Sequence, residues 1–111
     1  MGQYVNFLSK LINSTLANGR TGSAREFWFK QLEKLVNRYT SMNCNRFSYP
    51  KFIAECLREK KDLFEYIIDF ATALGALAEH SGSFIIKLPS RVVCFSREGE
   101  VTQCNINGGA Q

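Results

Sequence analysis

Apolar positions recur three and four residues apart through the first eighty residues, and from residue 84 onward they crowd into short β-branched and aromatic runs. The chain therefore reads as a helical part followed by a strand part. Tyr4, Val5, Leu8, Leu11, Ile12 and Leu16 predict a first helix over residues 3–17, stopped by Asn18-Gly19. After a short linker, Ser23-Ala24-Arg25-Glu26 forms a capping box, in which Ser and Glu satisfy each other's orphan amides. The helix it opens carries the stripe Trp28, Leu32, Leu35, Val36, Tyr39 and ends near Thr40. A polar loop over 41–48 holds Cys44.

Pro50 suits a first helical turn, so a short third helix is expected over 50–58, with Phe52, Ile53, Cys56 and Leu57 facing inward. Asp62-Leu63-Phe64-Glu65 repeats the capping signature and predicts a fourth helix over 62–80. Phe64, Ile67, Ile68, Ala71, Leu74, Leu77 and Ala78 make it the central one, with Gly75 allowing close approach and Ser81-Gly82 as its stop.

The runs 84–88 and 92–95 flank Pro89-Ser90 and read as a hairpin. Proline does not suit the primed two-residue turns, so a bulge or longer loop is expected there. Glu98-Gly99 turns the chain toward a third strand over 101–106, and 107–111 is a tail. The expected fold class is α+β: a four-helix N-terminal part followed by a small antiparallel β-hairpin or three-stranded sheet, in a single domain over 1–111. Helix, turn, helix and hairpin in that order is also the order of a winged helix.

Composition narrows the class. The 111 residues are 45% apolar and 22% charged, which excludes collagen-like, low-complexity and disordered chains. The formal charge of +4 conceals an asymmetry. Residues 1–61 carry eleven basic and four acidic side chains, a balance of +7, and residues 62–111 carry three basic and six acidic, a balance of −3. Between Asp62 and Ile86 there is no Lys or Arg at all, while Asp62, Glu65, Asp69 and Glu79 are acidic. A recognition helix must approach phosphates, and this one would be repelled. The fourth helix is rejected as a major-groove reader.

Any polyanion surface therefore lies earlier in the chain. Lys30, Lys34 and Arg38 are four residues apart and form one basic row on the second helix, and Arg46, Lys51, Arg58, Lys60 and Lys61 continue it. Phe47, Tyr49 and Tyr39 would supply ring faces among these cations. The expected function is non-enzymatic binding of nucleic acid or another polyanion. The competing expectation is a protein-interaction or self-association module. Phe27, Trp28 and Phe29 in succession cannot all face one side of a helix, so Phe27, Phe29 and Tyr66 become interface candidates, together with a sheet edge.

Catalysis finds little support. His80 is the single histidine, and its place at an expected helix C-terminus, where the dipole favours positive charge, explains it as a surface capping residue. Glu65 and Asp69, four apart on one helix face, suit acid–base work, but such a pair is more often a solvated face or the answer to a basic neighbour. The four cysteines, Cys44, Cys56, Cys94 and Cys104, are too widely spaced for a zinc knuckle, so no metal, cofactor or small-molecule substrate is indicated.

No signal-peptide pattern is recognised, so the expected setting is cytoplasmic, with reduced cysteines serving as small core hydrophobes. Met1-Gly2-Gln3-Tyr4-Val5-Asn6 approaches a myristoylation signal, with Asn6 where Ser or Thr is preferred. An acylated N-terminus beside basic helices is similar to the plan of a retroviral matrix domain, which implies a membrane surface as partner only if Gly2 is acylated. The similarity rests on Gly2-Gln3 and charge, and the β-rich part departs from it.

Overall fold

The computed structural model describes residues 4–16 and 21–102. Its order is α1 (Val5–Leu16), α2 (Thr21–Ser41), a 3-10 turn at Cys44–Arg46, α3 (Pro50–Leu74), then strands β1 (Leu77–His80), β2 (Ser83–Lys87), β3 (Val92–Phe95) and β4 (Val101–Thr102). The fold class is α+β, with three helices in place of the expected four and a four-stranded antiparallel sheet in place of a hairpin or three strands. The expected stop at Asn18-Gly19, the tail, the remainder of the last strand, Gly2 and Cys104 lie outside the described residues.

The two helices expected over 50–58 and 62–80 are one helix as far as Leu74, and this removes the turn a winged helix requires. From Leu57 to Leu63 the residues are Leu, Arg, Glu, Lys and Asp, with no Gly or Pro. Nothing there breaks the ladder, and an Asp-x-x-Glu pattern caps a helix only where the chain enters from non-helical backbone. The true stop is Gly75. At φ 77° it adopts the left-handed conformation, its N–H reaching the carbonyls of Ala71 and Thr72, while Ala76 N–H closes back on Ala71 O at 2.8 Å.

Ending α3 at Leu74 releases Leu77 to His80 as an edge strand. Ser81 (φ 52°) and Gly82 (φ 80°) are both left-handed, the requirement of a tight two-residue hairpin, and His80 pairs with Ser83 across it. Ser81-Gly82 is thus a hairpin turn and not a helix stop, and His80 ends a strand. β2 and β3 pair from Phe84↔Phe95 to Lys87↔Val92 around a four-residue loop, 88–91, closed by Leu88 N–H to Arg91 O at 2.9 Å. This is the longer loop that Pro89 demands. The strand order is β1-β2-β3-β4.

One core joins these layers. Leu8 and Ile12 of α1, Leu32 and Val36 of α2, Ile67, Ile68 and Leu74 of α3, and Phe84, Ile86, Val93 and Phe95 of the sheet are all buried. Each such aliphatic or aromatic side chain contributes about 1.5–3 kcal/mol by leaving water. Asp69 is buried as well, at 1% exposure, which corrects its reading as part of a solvated acidic face. Its Oδ2 accepts the Tyr4 N–H at 3.1 Å, at the N-terminal end of α1. A carboxylate there both satisfies an orphan donor and faces the positive end of the helix dipole.

The first turns of α3 extend beyond this core. Phe52 and Leu57, expected inward, are exposed, and Ile53 and Cys56 are half-buried. The opening of the helix is held by the 3-10 turn through a Cys44–Cys56 disulfide, with Cα atoms 5.6 Å apart. Cys94 is also disulfide-bonded, and no free cysteine occurs among the described residues. The expectation of a cytoplasmic setting with reduced cysteines is overturned by this bond: a structural disulfide persists in oxidising compartments and is reduced in the cytosol. A cysteine count without a signal pattern gave no means of telling a packed thiol from a cross-linked one.

Candidate nucleic-acid interface

Lys30, Lys34 and Arg38 all point to solvent from α2, as the four-residue spacing requires when Leu32, Val36 and Tyr39 face the core. Arg46 on the 3-10 turn and Lys51, Arg58 and Lys61 on α3 are exposed too. Lys60 is different. Its Nζ donates to the Met42 carbonyl at 3.2 Å and lies 5.0 Å over the Tyr39 ring, so it joins the end of α2 to α3. Of the eight basic residues singled out from the sequence, Lys60 is engaged internally and seven face water.

Among the described residues the one salt bridge joins Arg97 to Glu79 at 2.9 Å, within the acidic half. Arg91 hydrogen-bonds the Asn37 side chain and Ser90 Oγ donates to Glu33 Oε2 at 2.7 Å, docking the 88–91 loop on α2. Arg91 and Arg97 of the sheet region thus serve the fold. The cations of α2 and the start of α3 are not paired with a carboxylate among the described residues.

The connection between α2 and α3 gathers three rings beside these cations. Phe47 and Phe52 have centroids 6.4 Å apart, and Tyr49 meets Phe52 edge-on at 5.9 Å. Tyr49 is 66% and Phe52 45% exposed. The Arg46 guanidinium lies 5.1 Å over Phe47, and Lys51 Nζ 6.0 Å over Phe52. Tyr39, the other ring expected to be available, is buried and donates its hydroxyl proton to Gly99 O. Burial, then the nearby Glu100 charge, holds its phenol above the usual value of 10.0.

A groove of about 460 Å³ runs alongside, with Arg38, Arg46, Phe47 and Phe52 on its walls and Glu55 and Glu59 from α3. Both signs of charge and two ring edges therefore meet in one concavity. A second, smaller one of about 340 Å³ is lined by Trp28, Lys34, Arg38, Tyr66 and Phe70. Here the expected interface residues separate. Tyr66 is half-buried against Tyr4 and Phe70, and Phe29 is half-buried under Arg25, whereas Phe27 is 52% exposed. Sequence reasoning missed the exposed row of Phe7 and Leu11 on α1, with Tyr4 just before it, whose spacing of three and four was the available signal.

Among the described residues no three His, Cys, Asp or Glu side chains converge as metal ligands would, and no helix is long and apolar enough to cross a membrane. No protein-family model, no curated protein and no solved structure matches this chain.

Proposed function

We propose that this protein is a non-enzymatic binder of nucleic acid or another polyanion, acting through Lys30, Lys34, Arg38, Arg46, Lys51, Arg58 and Lys61. The observation that carries the reading is the absence of carboxylate partners for these seven exposed cations among the described residues, while Arg97 has one. Unpaired surface cations repel one another and gain most from a polyvalent anion, which releases its condensed counterions on binding. The Cys44–Cys56 disulfide supports placing this binding in an oxidising compartment.

Fluorescence anisotropy with labelled nucleic acid and heparin tests it. Neutralising five phosphates predicts a loss of about 100-fold in affinity for a single strand, and about 500-fold for a duplex, between roughly 50 and 200 mM salt. Binding that ignores salt, or no binding at the lower salt, contradicts the proposal.

A second reading is favoured by a different observation: Phe7 on α1 is 62% exposed and Phe27 on α2 52%, on a chain whose β1 edge is unpaired in the sheet order. Large exposed rings and an open strand edge suit a protein partner or self-association. Sedimentation of the wild type against Phe7→Ser with Phe27→Ser tests it: a concentration-dependent dimer lost in the variant supports this reading, and a monomer at all concentrations contradicts self-association.

A further inference from the structure

We propose that Phe47, Tyr49 and Phe52 stack on unpaired bases, so that the polyanion taken by this surface is single-stranded nucleic acid; this rests on the polyanion reading above. Three aromatic side chains in six residues stand where an ordinary helix connection is polar, and two of them are far more exposed than packing requires. Their positions are fixed from both sides. The disulfide closes the segment between Cys44 and Cys56 that carries all three, and Pro50 sets the first turn of α3 between Tyr49 and Phe52. A stacking platform gains from such fixation, because little ring entropy remains to be lost on binding.

Cations are interleaved with the rings and do not form a separate patch. Arg46 lies 5.1 Å from the Phe47 centroid and Lys51 6.0 Å from that of Phe52, so charge and π-surface alternate within one short segment. Duplex nucleic acid hides its base faces, so it would use the cations and leave the rings idle. A bilayer is the less suitable occupant. Glu55 and Glu59 stand in the adjoining groove, where anionic headgroups would meet two carboxylates. Unpaired bases, by contrast, expose N–H donors on their Watson–Crick edges that a carboxylate accepts from, the N3–H of thymine among them.

The oxidised full chain is titrated by anisotropy at low salt with a labelled oligothymidylate, a duplex of equal charge and heparin, and by co-sedimentation with mixed phosphatidylcholine–phosphatidylserine vesicles. The single strand is expected to bind about tenfold or more tighter than the duplex. Tyr49→Ala and Phe52→Ala should each weaken the single strand about tenfold and leave heparin unchanged. Tyr49→Trp should retain the wild-type affinity, and Lys51→Gln should weaken every polyanion alike. Unaltered melting of the alanine variants checks their fold, since both rings are exposed. Equal binding of all polyanions with no effect of the ring variants overturns the stacking proposal and leaves the polyanion reading standing. Binding to none of them overturns both. Ring-dependent binding to vesicles in preference to the single strand overturns it in favour of a membrane surface.

Discussion

The Tyr39 hydroxyl donates a 2.6 Å hydrogen bond to the carbonyl of Gly99, 60 positions further along the chain. This single contact ties the end of α2, beside the basic and aromatic segment, to the turn between β3 and β4. Tyr39 also lies edge-on to Phe95 at 5.6 Å and against Phe64 at 5.5 Å, so the bond sits where α2, α3 and the sheet meet. Gly99 has φ 92°, and a Cβ built there would collide with the Tyr39 hydroxyl and sit 3.3 Å from Phe64 Cγ. Gly99→Ala is therefore expected to cost about 3 kcal/mol, from strain and overpacking together. Tyr39→Phe should cost about 1–2 kcal/mol, through a buried carbonyl left without its donor. Urea unfolding measures both.

The same phenol sets an alkaline limit. Burial and Glu100 raise its pKa in the folded state above the ordinary 10.0, so the native protein holds this proton more tightly than the unfolded chain does. The stabilisation is complete below pH 10 and is lost as pH rises through the raised native value. Thermal melts across alkaline pH should show a drop that Tyr39→Phe makes shallower. An equal drop in the variant would assign it to other groups.

The Cys44–Cys56 link should matter more to the α2–α3 connection than to the core. Closing a loop of this length stabilises by about 3 kcal/mol in the chain-entropy model. Cys44→Ala with Cys56→Ala isolates the effect, since reducing agents would also reach Cys94. The double variant is expected to melt lower and to lose amide-exchange protection first over 44–56. Unchanged protection there would mean that packing alone holds the segment.

Continuity of α3 has its own test. Lys61 sits mid-helix, immediately before the Asp62 capping signature, and its side chain is exposed. Lys61→Pro should cost about 3 kcal/mol or more, because it removes a ladder bond and clashes with the preceding turn. A tolerated proline would indicate two helices joined by a turn.

Elements whose signals are local were legible in the sequence: the pairing of 84–87 with 92–95, the long loop at Pro89, and the core faces of α2 and the second half of α3. The Asp62 capping signature misled because a charge pattern does not reveal whether the chain is already helical when it arrives. Leu77 and Ala78 misled because a short apolar run fits helix and edge strand equally, and Gly75 decided between them only through its left-handed φ. The basic row on α2 was readable from spacing alone. The internal engagement of Lys60 and the exposure of Phe52 were not, since both depend on how far α3 projects beyond the core. The disulfide was missed because its cysteines lie on separate elements and meet only when α3 starts against the 3-10 turn.

Amide chemical-shift mapping of the full chain, titrated with an unlabelled oligothymidylate, tests the central claim most directly. The account predicts salt-sensitive, saturable shifts confined to α2 from Lys30 onward and to the segment from Asn43 to Lys61, with the sheet unperturbed. Shifts centred on Phe7 and Leu11 of α1 or on the β1 edge, or no shifts at low salt, would contradict it.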